Sequence, residues 1–283
     1  MPQGPLVTVD WLAAHLTAVR VADIRWYLPG AGKTGRSEYA TGHLPGAVFL
    51  DVDEDLADPP TRARGRHPLP LAERFAAALS RAGISDGEDV VAYDDAGGAI
   101  ASRLWWLLRA FGHRGGAAVL DGGIAAWRAA GHPVTTLAPH PGPGSFHARL
   151  DPTGLASRAD VERLCRSRAA VVLDARARER YAGVTEPIDA RPGHIPGARS
   201  APFADNLVDG HLRAPAELRA LYAAHGVTPG TPVVAYCGSG VTACHTLLAL
   251  ELAGLPGALL YDGSYSQWAA DDALPVATGD DPG

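Results

Sequence analysis

The chain repeats itself, and the repeat limits its fold more than any other feature does. Val21-Ala22-Asp23-Ile24-Arg25 in the first half is answered by Val171-Val172-Leu173-Asp174-Ala175-Arg176 in the second. Gly42-His43-Leu44-Pro45-Gly46-Ala47 is answered by Gly193-His194-Ile195-Pro196-Gly197-Ala198, and Val90-Val91-Ala92-Tyr93-Asp94 by Val233-Val234-Ala235-Tyr236-Cys237. Asp121-Gly122-Gly123, followed by Trp127, is answered by Asp262-Gly263-Ser264, followed by Trp268. Anchors recurring in one order imply two copies of one structural unit. The drift in spacing comes mostly from the Pro-, Asp- and Arg-rich stretch from 53 to 70, which reads as a long surface loop and is shortened in the second half.

Within each copy, short apolar β-branched runs alternate with helical segments that end at glycine. That alternation predicts an α/β fold, two tandem domains, each with a mainly parallel sheet flanked by helices. At 283 residues the chain has room for two such domains. The expected boundaries are 1–138 for the first, a Pro- and Gly-rich linker over 139–152, and 153–283 for the second. Ser157 and Asp160 form a capping box before Val161, and the tail from Ala277 to Gly283 is polar and expected to fray.

The copies differ where chemistry would be done. The Val233–Tyr236 strand ends at Cys237, and Gly238-Ser239-Gly240-Val241-Thr242 turns the chain into a helix beginning near Ala243. Ligands of open α/β sheets bind beyond the carboxyl ends of strands. Backbone N–H groups of a Gly-rich turn and a helix N-terminus favour an anion, so the loop suits a thiolate or a persulfide made from it. The matching residue in the first half is Asp94, a carboxylate that cannot accept and release a sulfur atom. Cys244, inside the following helix, reads as packing, and Cys165 as idle. Cys-x₆-Cys-His fits no usual zinc spacing, so no metal and no cofactor is expected.

Cys237-Gly238-Ser239-Gly240-Val241-Thr242-Ala243 after such a strand resembles the active-site loop of the two-domain rhodanese sulfurtransferases, most like the mercaptopyruvate sulfurtransferase branch. The resemblance implies that Cys237 takes a sulfur from a small-molecule donor and passes it to a thiol or cyanide. The thiol acceptor would be a small thiol or a thioredoxin-like protein. It also implies that Arg180 and Arg191 hold the donor's carboxylate and that the loop residues Gly238 to Thr242 line the site. Ser239 and His43 would form part of a proton relay, with His194 a structural turn residue. Gly238 and Ser239 leave the positions after the cysteine neutral, which favours monoanionic 3-mercaptopyruvate over the thiosulfate dianion, the alternative being a thiosulfate:cyanide sulfurtransferase.

Two further classes compare poorly. A Cys-x₅-Arg phosphatase needs an arginine six residues past the cysteine to neutralise the phosphoryl group, and that position is Ala243. A non-catalytic binding module would not need the retained cysteine. The net charge of −6 argues against nucleic acid or an anionic membrane as partner. No apolar run approaches a membrane span, and the start, Met1-Pro2-Gln3-Gly4, shows no secretory signal. Three cysteines in so long a chain suggest a reducing compartment, hence the cytoplasm. Lys33, the only lysine, excludes Schiff-base chemistry elsewhere.

Overall fold

A computed structural model describes Pro2 and Gly4–Gly283; Met1 and Gln3, in the stretch read for a leader, lie outside the described residues. The chain separates into two compact units. The first comprises Met1–Asp58 and Leu69–Asp151, the second Pro59–Pro68 and Pro152–Gly283. Ten residues of the long first-half loop therefore belong to the second unit, which is the main departure from the expected surface loop.

The first unit runs β1 (Leu6–Val7), α1 (Val9–His15), β2 (Arg20–Asp23), α2 (Gly35–Thr41), β3 (Val48–Phe49), α3 (Ala72–Arg81), β4 (Val90–Tyr93), α4 (Ala101–Ala110), β5 (Ala117–Leu120) and α5 (Gly123–Ala129). Its strands pair in parallel in the order β1-β5-β4-β2-β3. The second unit runs α6 (Arg158–Ser167), β6 (Val171–Asp174), α7 (Arg178–Tyr181), β7 (Arg199–Ser200), β8 (Leu207–Val208), β9 (His211–Leu212), α8 (Pro215–Ala224), β10 (Val233–Tyr236), α9 (Ala243–Leu252), β11 (Leu259–Leu260) and α10 (Ser264–Ala269). Here β11-β10-β6-β7 pair in parallel, and β8-β9 form a separate hairpin. Strands covered by helices on both faces are continuous apolar runs, as Val90–Tyr93 and Val233–Tyr236 are, and all eight of those residues are buried.

The duplication extends to single hydrogen bonds. Arg25 clamps Asp23 and reaches the Gly42 carbonyl at 2.9 Å; Arg176 clamps Asp174 and reaches the Gly193 carbonyl at 2.7 Å. Each pair fastens the end of a strand to the Gly-His-x-Pro-Gly turn, and its burial is tolerated because every charge is matched. Trp127 and Trp268 sit in the two cores and donate to the Pro133 and Pro275 carbonyls, each at 2.8 Å.

The stretch expected as linker is pinned along the first unit: Gly144 N–H donates to Ser80 O, Arg149 N–H to Phe111 O, and Phe146 packs edge-on against Phe75. The C-terminal tail is likewise tied down rather than frayed. Ala277 exchanges both backbone hydrogen bonds with His194, and Gly279 N–H donates to Ala182 O.

Candidate active site

Three strand ends of the second unit deliver the residues. β10 ends at Tyr236, and Cys237 follows, 2% exposed. Gly240 has φ of +84°, a left-handed conformation that costs glycine nothing. This turn aims the Gly240 N–H at the Cys237 sulfur, 3.1 Å away. β11 leads to α10, whose first residues hold the loop from the other side. Tyr265 N–H donates to Cys237 O at 3.0 Å and Ser266 N–H to Gly238 O at 2.9 Å. Cys237 N–H itself donates to Ser264 Oγ at 3.2 Å. Ser264 holds φ of +51°, unfavourable for a residue with a Cβ, where the repeat has Gly123 at +55°. The serine keeps the strained backbone and adds a side-chain acceptor for the cysteine's amide.

The first unit shows what this loop architecture binds. Asp94, fully buried, occupies the place of Cys237. One of its oxygens accepts from Ala96 and Gly98 N–H at 2.8 Å each, the other from Ile100 at 2.7 Å and Ala101 at 2.8 Å. Four backbone donors close on one carboxylate, so the loop is an anion cradle that in this unit is filled by its own side chain.

Ser239, two residues beyond the cysteine, meets His67: Nδ1 lies 2.7 Å from Oγ, and both residues are buried. His67 lies in the Pro59–Pro68 segment that belongs to this unit. The expected partner of the serine, His43, is occupied elsewhere. Its Nδ1 lies 2.8 Å from Tyr39 O, its Nε2 3.2 Å from Leu137 O, and its ring stacks on Tyr39. His194 repeats the arrangement, with Nδ1 2.9 Å from Tyr181 O and its ring on Tyr181. Both are turn residues, and the histidine that meets Ser239 is His67 rather than the expected His43. A signal for His67 was present: it is the lone histidine of the extra-long stretch from 53 to 70.

β6 leads to α7 and Arg180. A methyl group placed on Gly238 would meet Arg66 Nη2 at 2.6 Å and Arg180 Nη1 at 3.4 Å, so two guanidinium groups lie against the residue next to the cysteine. Cationic charge thus reaches the start of the loop from outside it, although Gly238 and Ser239 are themselves neutral. Arg180 is forked on Glu186, and Asp189 takes Arg180 on one oxygen at 2.8 Å and Arg66 on the other. Burial tends to raise the Glu186 carboxyl, but hydrogen bonds from Arg180 and from the Asp189 and Ile188 amides outweigh it and hold the group below its ordinary range. Burial lifts Asp189 above that range, and the neighbouring Glu186 charge adds to the lift.

Arg191 does not join the cluster. Its guanidinium donates to the carbonyls of Trp268, Ala269, Asp271 and Leu274, capping the C-terminal end of α10. The expectation that it holds a donor's carboxylate is corrected on that ground. Arg66, which sequence reasoning missed, stands beside Arg180 instead. Of the remaining loop positions, Val241 is buried and Thr242 stands at the N-cap of α9. Cys244 donates its S–H to Gly240 O at 3.3 Å, and burial pushes the Cys165 thiol up to about 11, which leaves it protonated at neutral pH.

The rhodanese-like domain family matches residues 8–130 and again 157–271. A probable 3-mercaptopyruvate sulfurtransferase of Pseudomonas aeruginosa is 44% identical over 99% of this chain and 100% of its own length. The thiosulfate sulfurtransferase of Cricetulus griseus is 39% identical over 93% of this chain and 91% of its own. Among solved structures, the 3-mercaptopyruvate sulfurtransferase SseA of Escherichia coli superposes with a TM-score of 0.84 at 34% identity, covering 93% of this chain and 100% of that one. The chain belongs to the rhodanese family and carries its domain twice.

Proposed function

We propose that this protein is a sulfurtransferase that moves a sulfane sulfur from 3-mercaptopyruvate to a thiol or cyanide through a persulfide on Cys237. The Cys237 thiolate attacks the donor's sulfur. The carbon–sulfur bond breaks, its electron pair remains on the donor's C3, and that carbon takes a proton to give pyruvate. An acceptor thiolate then attacks the outer sulfur of the persulfide, and Cys237 leaves as thiolate. The carrying observation is the Gly240 N–H on the Cys237 sulfur, in a loop whose first-unit copy closes on a carboxylate. That N–H stabilises a thiolate before the first step and a persulfide anion after it.

Arg180 and Arg66 receive the donor's carboxylate, because a guanidinium fork matches a carboxylate's two oxygens. His67 and Ser239 serve to carry the proton between cysteine, donor and solvent. A second reading, with thiosulfate as donor, draws support from the same two arginines, since a dianion gains more from paired cations than a monoanion does. The acceptor is a small thiol or a thioredoxin-like protein. Three free cysteines fit a reducing compartment such as the cytoplasm. Among the described residues no helix is long and apolar enough to cross a membrane.

Both half-reactions can be tested directly. Cys237→Ser should abolish sulfur transfer, while Cys165→Ser and Cys244→Ser retain most of it. Mass spectrometry after donor treatment should find one added sulfur on the Cys237 peptide, and sulfur on either other cysteine would refute the assignment. Ping-pong kinetics with the higher kcat/KM for 3-mercaptopyruvate would fix the donor; a higher value for thiosulfate would establish the second reading.

A further inference from the structure

The arginine pair beside Cys237 already holds a carboxylate, and it belongs to the protein. We propose that Asp189 is the internal occupant of the donor's carboxylate subsite, displaced when the donor binds, and that it thereby sets how tightly anionic donors bind. The inference rests on the arginine assignment under Proposed function and adds the residue that competes for it.

The two acids of the cluster are held very differently. Glu186 takes both of its oxygens to Arg180, one also to Arg176, and accepts the amides of Ile188 and Asp189. Among the described residues the Asp189 carboxylate is held by arginines alone, Arg66 on one oxygen and Arg180 on the other, with its side chain only 2% exposed. Those are the two guanidinium groups that lie against Gly238. A donor carboxylate brought to them meets the Asp189 carboxylate in the same place.

The chain around Asp189 suits a side chain that leaves. Glu186 on one side and Arg191 on the other are each fixed by several hydrogen bonds, whereas Pro187 and Ala190 are exposed and the stretch between them is irregular. Asp189 can turn outward without disturbing either anchor. The less favourable setting of its charge, noted above, points the same way.

Arg66, Arg176 and Arg180 face Asp174, Glu186 and Asp189, three cations against three anions. A monocarboxylate that replaces Asp189 restores neutrality, whereas a dianion leaves one negative charge in excess. Only the fraction of molecules with Asp189 turned out binds the donor, and the apparent Kd rises in inverse proportion to that fraction.

The test uses pyruvate, a carboxylate that carries no transferable sulfur, titrated by calorimetry into the full-length Cys237→Ser protein with and without Asp189→Asn. The expected result is pyruvate bound about tenfold more tightly in the Asp189→Asn protein, the occupied fraction having been removed. In the Cys237-containing enzyme the same change should raise kcat/KM for 3-mercaptopyruvate and for thiosulfate by a similar factor, since it removes the competitor of both. Unchanged or weaker pyruvate binding, with a lower Tm, would make Asp189 a structural counter-ion and overturn the proposal. Should Asp189→Asn not fold, crystals of the unaltered chain grown with pyruvate decide the matter. Pyruvate on Arg66 and Arg180 with Asp189 turned away supports it; Asp189 still seated with pyruvate bound overturns it. Pyruvate binding that tightens on Asp189→Asn, while the unaltered Cys237-containing enzyme transfers no sulfur from either donor, would refute the functional reading and leave the subsite standing.

Discussion

Histidines 43 and 67 separate what a residue type suggests from what its surroundings allow. His43 and His194 occupy the same turn in the two units and make the same stack on tyrosine, so their roles follow from the turn. His67 has no such copy, and it touches the serine beside Cys237. His67→Ala should therefore lower kcat for sulfur transfer by about 100-fold or more, as loss of a proton-transfer group does, with little change in Tm. His43→Ala should do the reverse, since it removes a buried ring that bridges two backbone carbonyls. Paired kinetics and thermal melts check both. Equal losses of activity at unchanged Tm would show that His43, too, serves the reaction. Cys237 and Arg180 were readable from sequence because each stands in a stretch whose local pattern fixes its place. Arg66 and Asp189 were not, and His67 was marked only as the lone histidine of its stretch, because their placement depends on contacts made across more than a hundred residues of chain or on which neighbour wins a guanidinium group.

At the scale of elements, the instructive pair is the loop after β4 and the loop after β10. Both follow a Val-Val-Ala-Tyr strand, and both turn into a buried helix. In the first unit the acceptor is Asp94, whose two oxygens take four amides. Replacing it by alanine leaves those donors facing a void, and a buried unmet donor costs roughly 1–3 kcal/mol. Asp94→Ala should thus destabilise the fold by at least about 3 kcal/mol, with water restoring part of the loss. Chemical denaturation would measure it, and a change below about 1 kcal/mol would mean that the loop relaxes onto other acceptors. The parallel sheets and the capping box at Ser157 were legible, since periodicity and turn residues report local geometry. The pinned tail was not legible, because a polar composition says nothing of its backbone pairing with His194.

For the molecule as a whole, the two units are not two equal lengths of sequence. The chain passes from the first to the second at Asp58, back at Pro68, and across again at Asp151. A protein cut between Asp151 and Pro152 would give a second fragment with Cys237, Ser239 and Arg180 but without Arg66 and His67. That fragment should lack sulfur-transfer activity even where circular dichroism finds it folded, and full activity in it would show that the borrowed segment is dispensable. The borrowing also bears on how such a chain comes off the ribosome. Arg66 and His67 are made before any of the rest of their unit exists, and N-terminal domains fold first during synthesis. The nascent first half therefore has to carry these ten residues as an unpartnered strap. On that prediction, a gene encoding this chain could not be split at its repeat boundary into two self-sufficient genes, although the two halves match anchor for anchor.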